Sequence, residues 1–219
     1  NGVAIVSKDT PEDIQTFFPG QPGFHKDPAK EQKREARAVA ARIRGVEIWS
    51  LYIPNGREIT DPHYDYKLHF LYALARYVET RAQSKLLLTG DFNIAPRDED
   101  VWDMSLFRGK THVTEPERAS FQMLEEAGLE EVTRRFTEEE RWTYFDYKSM
   151  RFQKNEGMRI DFQLASAPLA ELVQGAQVDL VERAGDKTSD HVPLIADFDV
   201  PDFDSVRSVS YTHLRAHET

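Results

Sequence analysis

The stretch Lys85-Leu86-Leu87-Leu88-Thr89 constrains the fold of this chain more than any other. It is too short for a typical helix and has no polar face. Closed by Gly90, it predicts a strand buried on both sides. Such a strand needs a covering layer on each face. Upstream, Asp61-Pro62 supplies a helix start, with Asp as N-cap and Pro in the first turn. Leu68, Leu71, Tyr72, Ala75 and Val78 follow at helical spacing and predict a helix ending near Gln83-Ser84. Residues 116–127 read as a second helix, with Phe121 and Leu124 inward and Gly128 as its stop. Further strands are expected at residues 3–7, 47–53, 159–165 and 192–199. Residues 30–41 read as a basic segment, partly helical or extended, and residues 142–147 as an aromatic strand or loop. Helices between buried strands put the chain in the α/β class.

The absence of cysteine excludes disulfides, thiol catalysis and Cys-bound zinc, and fits a reducing cytoplasm. No apolar run reaches the length of a membrane span, so no membrane partner is expected, and the chain reads as a monomer. The net charge of −10 by itself argues against nucleic acid, which wants a basic face. Its distribution argues the other way. Lys26, Lys30, Lys33, Arg34, Arg37, Arg42 and Arg44 cluster in one stretch, and Lys148, Arg151, Lys154 and Arg159 in another. Two readings are open: solvated surface, or a local basic rim on an acidic enzyme.

Both ends look unlike natural termini. The chain opens without Met on a segment that already reads as a buried strand, as expected for entry in mid-domain. Residues 208–219 resemble the translation of a sequencing adapter, so the domain is expected to span residues 1–207. His213 and His217 are accordingly given no metal role.

Three acidic motifs sit at expected strand ends. In Gly90-Asp91-Phe92-Asn93, a spacing of two puts Asp91 and Asn93 on one face of an extended chain, where they could hold a cation and orient a phosphate oxygen. The alternative is an Asx-turn closing the strand. In Arg159-Ile160-Asp161, the carboxylate lies within an apolar strand and needs a partner, either Arg159 or a site group. In Ser189-Asp190-His191, adjacent side chains point apart. Asp190 on a metal and His191 held by Asp161 is one arrangement; a polar turn before the last strand is the other. Hard oxygen ligands favour Mg²⁺ or Mn²⁺ over zinc.

Taken with Leu51-Tyr52-Ile53-Pro54-Asn55-Gly56, Asp91-Phe92-Asn93-Ile94-Ala95-Pro96 and Trp142-Thr143-Tyr144-Phe145-Asp146-Tyr147, these motifs run in the order of a known family. The chain resembles the exodeoxyribonuclease III family of the exonuclease–endonuclease–phosphatase superfamily. The resemblance implies a four-layer, DNase I-like α/β sandwich. It implies cleavage of double-stranded DNA 5′ to abasic sites and from 3′ ends, with Mg²⁺ or Mn²⁺. Carried over by position, Asp91 would activate water beside the metal, Asn93 and Asp190 would complete the metal set, and Asp161 would orient His191 on the phosphate. Tyr52 would stabilise developing charge. Arg37, Asn55, Tyr144, Phe145 and His191 would contact substrate. Tyr144 stands where relatives often carry Trp. The family's early Asn and its metal-binding Glu are expected before residue 1, which predicts weak Mg²⁺ binding and weak cutting by this chain. A phosphodiesterase acting on RNA or nucleotides, or a non-catalytic DNA-binding module, are the alternatives.

Overall fold

The computed structural model describes residues 2–201; Asn1 and the expected tail lie outside the described residues. Six strands form the main sheet: β1 (Glu12–Gln15), β2 (Ala38–Ile43), β3 (Val46–Tyr52), β4 (Leu86–Asp91), β5 (Leu129–Glu131) and β6 (Asp161–Ser166), in the order β1-β2-β3-β4-β6-β5. A second sheet pairs β7 (Val173–Val178) antiparallel with β8 (Leu194–Phe198). The helices are α1 (Pro62–Glu79), α2 (Met104–Phe107), α3 (Glu115–Glu126), α4 (Ala167–Ala170) and α5 (Leu180–Arg183).

The leucine run is buried on both faces, as its composition demands. Leu86 and Leu88 pack with Trp49, Leu51, Phe70, Leu74 and Leu164 under the helices. Leu87 points the other way, into Val46, Val132, Ala165 and Val173, with Phe198 of the second sheet beside them. The two sheets thus face each other, with α1 and α3 outside the larger one. Gln163 on β6 ties them together by donating to the Leu194 carbonyl at 2.9 Å. Each buried leucine contributes about 1.5–3 kcal/mol. Strands β3 and β4 are parallel, so the chain must cross over between them, and α1 is that crossover.

The start of α1 follows its sequence: Asp61 accepts from the His63 N–H at 2.8 Å, with Pro62 in the first turn. The helix ends at Glu79, short of residues 83–84, where the Thr80 hydroxyl donates to the Tyr77 carbonyl at 2.7 Å and closes the last turn. Its buried stripe runs through Tyr64, Lys67, Leu71, Leu74 and Val78, leaving Tyr72 exposed.

Other expectations are corrected. Residues 3–7 pair with no strand among the described residues, and Val6 is fully exposed, so apolar content without a ladder partner makes no strand there. The alanine-rich end of the basic segment takes the extended of its two expected forms, as β2. Its small side chains are buried in the sheet and pair Ala38 with Leu51 and Ala40 with Trp49, so tertiary pairing overrides helix propensity. Residues 142–147 form a loop held by single bridges from Tyr144 to Met158 and to His191. Among the described residues, no helix is long and apolar enough to cross a membrane.

Candidate active site

The ends of three neighbouring strands build the floor of the site. Register pairs Tyr52 of β3 with Asp91 of β4, and Asp91 with Asp161 of β6, so the three lie in one row across the sheet. Gly90 permits this closeness. Its φ is +139°, and a Cβ there would lie 2.0 Å from the Leu51 carbonyl oxygen. Only glycine fits such a position.

Asp91 and Asn93 do not share a face of an extended chain. Asn93 adopts φ +52°, a left-handed conformation that asparagine tolerates, and folds back on Asp91. The Asn93 backbone N–H donates to Asp91 Oδ1 and its side-chain amide to Oδ2, each at 2.8 Å. The Asx-turn and the site residue are therefore the same feature. Asn93 Oδ1 accepts from Asn55 at 2.9 Å and from His112 Nε2 at 3.0 Å. Asn93 is largely buried and lines the cleft beside Asp91.

His191 Nδ1 donates to Asp161, 2.9 Å from Oδ2, while Nε2 lies 3.9 Å from Asp91 Oδ2. Arg159 is not the partner of Asp161. It is buried on the other side of the strand, donating to the hydroxyls of Thr133 at 2.7 Å and Thr137 at 2.9 Å. Asp161 is set by Thr143, whose hydroxyl accepts from the Asp161 N–H at 3.0 Å. The Tyr144 ring lies 5.1 Å from that of His191. Asp190 lines the same cleft, and the Ser189 hydroxyl accepts from the His191 N–H at 3.1 Å.

This arrangement separates the charge states of the two central groups. Burial, reinforced by the charge of Asp161, raises Asp91 to about 7. Burial opposes a charged ring at His191. Its hydrogen bond to Asp161 and the charges of Asp161, Asp91 and Asp190 outweigh that and raise it to about 9. At neutral pH the histidine is a cation facing a carboxylate poised to exchange protons.

The floor opens into a cleft of about 800 Å³, lined also by Tyr52, Asn55, Trp102, Leu106, Phe107, Lys110, His112 and Arg151. Residues 1–191 match the Endonuclease/Exonuclease/phosphatase family. The chain belongs to this family. An exodeoxyribonuclease III from Haemophilus influenzae is 32% identical over 212 residues, covering 90% of this chain and 76% of that protein. The structure of the 3′ phosphatase NExo from Neisseria, bound to a product DNA hairpin, matches with TM-score 0.79 and 35% identity, covering 88% of this chain and 73% of that one. An AP endonuclease from Archaeoglobus fulgidus matches with TM-score 0.78 and 31% identity, covering 89% and 73%. These likenesses put the chain among the exodeoxyribonuclease III-type nucleases, which are hydrolases.

Two substrate contacts expected from the resemblance are absent from the cleft of this nuclease. Arg37 is buried: its Nε donates to Glu35 at 2.6 Å, its Nη1 to the Tyr52 carbonyl at 3.2 Å, and its guanidinium lies 5.0 Å from the Tyr52 ring. It braces Tyr52 from behind. Phe145 is also buried, packed with Val178 and Val192 and edge-on to Phe152 at 5.1 Å. Strand-like alternation sends Tyr144 into the cleft and Phe145 into the core.

The structure adds a buried network beneath the floor. Lys67 pairs with Glu117, both fully buried, and donates to the Asn93 carbonyl at 2.6 Å and the Asn55 carbonyl at 3.3 Å. Glu117 accepts in turn from the Thr111 hydroxyl at 2.7 Å and the His112 N–H at 2.9 Å. Burial and the charge of Lys67 lower His112 to about 4, so its ring is neutral. Two signals point to this network in the sequence. Lys67 interrupts the apolar stripe of α1, and Thr114-x-x-Glu117 is a capping box at the start of α3.

Proposed function

We propose that this nuclease is a divalent-metal-dependent DNA phosphodiesterase of base-excision repair, cutting duplex DNA 5′ to abasic sites and removing nucleotides from 3′ ends. The single observation that carries the reading is the line Asp161–His191–Asp91 at the floor of one cleft. The Neisseria meningitidis relative, described as a 3′-5′ exonuclease, and the Archaeoglobus relative, described as an AP endonuclease, support the two activities.

The donor chemistry fits a hard cation. Mg²⁺ is commonly held by one or two carboxylates plus substrate phosphates and waters. Asp91 and Asp190 line the cleft and would supply those carboxylates. Bound there, Mg²⁺ or Mn²⁺ would offset charge on the phosphate oxygens.

The protein's own groups divide the remaining work. Asp91 takes the proton of the attacking water. The water oxygen bonds to phosphorus as the phosphorus–oxygen bond in line with it breaks, and the departing oxygen takes a proton from solvent to leave as a hydroxyl. His191, held as a cation by Asp161, donates from Nε2 to a phosphate oxygen. Asn93 fixes Asp91 through both of its oxygens. Tyr52 and Asn55, on the β3 side, contact the phosphate, and Tyr144 contacts the sugar.

The test uses the purified chain with 5′-labelled duplexes carrying an abasic analogue or a recessed 3′ end, in Mg²⁺, Mn²⁺ or EDTA. Weak metal-dependent cutting that Asp91→Asn abolishes is the expected result. Cleavage of RNA or dinucleotides without duplex DNA would overturn the DNA reading.

A further inference from the structure

The catalytic floor occupies only one side of the cleft. The other side is built by residues 98–113, whose route is fixed at both ends. The Arg159 N–H donates to the Asp100 carbonyl at 2.8 Å, the Trp102 N–H to the Gly157 carbonyl at 3.1 Å, and the Ala95 N–H to the His112 carbonyl at 2.7 Å. Val101 packs with Val113, Met158 and Ile160 under this segment. It is therefore a rigid wall tied to the strand that carries Asp161.

Trp102 stands on that wall, half-buried and facing the cleft. The guanidinium of Arg151 lies 4.6 Å from its ring centroid. Arg151 is held there by an ion pair with Glu156, and both also line the cleft. Gly157 lets the backbone pass, since a Cβ there would lie 2.5 Å from the Cβ of Trp142. Leu106, exposed by 46%, extends the apolar surface outward. The pair Trp102–Arg151 has no partner in the hydrolytic chemistry. It is a cationic–aromatic pair opening into the cleft.

Nucleobases stack on aromatic rings and on arginine planes alike. We infer that Trp102 and Arg151 form a stacking platform for a base next to the scissile phosphate, and so help decide which nucleotides the cleft accepts. This deepens the nuclease reading and rests on it. The ligand class is an intact nucleobase flanking the cleavage position, taken without hydrogen-bond readout and so with little preference among the four bases.

The experiment compares the wild-type chain with Trp102→Leu and Trp102→Phe on duplexes whose flanking nucleotide either carries its base or is abasic. Leucine keeps apolar bulk without a ring face; phenylalanine keeps a smaller face. Stacking of this kind is worth roughly 5- to 150-fold per base. Trp102→Leu is expected to raise KM on the base-bearing duplex at least about five-fold more than on the base-less one, with kcat little changed, and Trp102→Phe to restore most of the loss. Equal losses on both duplexes, or none on either, would overturn the platform. A second measurement needs no turnover: quenching of 2-aminopurine at the flanking position, in EDTA, should occur with the wild type and fall with Trp102→Leu. A chain that quenches but cleaves only RNA or dinucleotides would sink the nuclease reading and leave the platform standing. A chain that cuts without quenching would do the reverse.

Discussion

The two sides of the cleft are built by different physics. The floor stands on strand ends, where a two-residue period and a fixed register put Tyr52, Asp91 and Asp161 in one row. The wall of residues 98–113 contains only α2, four residues long, and a single helical turn, and takes its shape from long-range ties. Its inner end hangs on Glu117, which is paired with Lys67 from another helix, 50 residues away in sequence. The row Tyr52–Asp91–Asp161 inherits its geometry from the sheet, while the wall is placed by long-range ties.

That contrast gives the molecule several breaking points. The largest effect belongs to the floor. Asp91→Asn or His191→Ala is expected to lower kcat/KM on a cut duplex by at least about 10²–10³, the usual loss for one preorganised group. A ten-fold effect would mean that the floor is not where the reaction occurs. Next comes the pH profile of kcat/KM. Proposed to need Asp91 deprotonated and His191 protonated, activity should be bell-shaped, its acid limb below the metal-free value of about 7 because a bound cation favours the carboxylate and its alkaline limb near pH 9, the two limbs belonging to the coupled pair. Asp161→Asn removes the hydrogen-bonded charge that raises His191, so the alkaline limb should move down. It also removes a like charge beside Asp91, so the acid limb should move down as well.

The wall's tether should respond in stability. Lys67→Met leaves Glu117 buried without its cation and is expected to cost about 3–5 kcal/mol in denaturant unfolding. Lys67→Met with Glu117→Leu should cost less than the single change, because no uncompensated charge remains. If the single and double variants are equally unstable, the pair is not what holds the wall. The smallest effect belongs to the exposed pair Arg76–Glu79 on α1, where Arg76→Ala should cost no more than about 0.5 kcal/mol.

The same contrast explains what could be read from the sequence. The leucine run, the Asp-Pro helix start and the three acidic motifs are local signals. The structure brings Asp91, Asp161 and His191 together, with Asp190 and Tyr144 beside them in the cleft. Arg37 and Phe145 were assigned to substrate by composition and resemblance, yet their burial depends on which way a loop turns. For strand β2 the sequence leaves helix and extended chain open, because alanine favours helices, and only its pairing with β3 decides between them. The short strands β1, β5 and β7 lack an apolar run of their own. His112 and Trp102 carry no motif at all, since their place in the cleft comes from distant contacts with Asn93 and Arg151.

The charge state of His191 is the hinge of this account, and it can be measured without substrate or metal. Side-chain ¹⁵N NMR titration, with His191→Gln used to assign the resonance, should find the ring still protonated at pH 8, with its midpoint near 9. In Asp161→Asn that midpoint should fall toward the ordinary value of about 6.5. A wild-type His191 titrating near 6.5, unmoved by Asp161→Asn, would contradict the assignment of proton acceptor and phosphate donor.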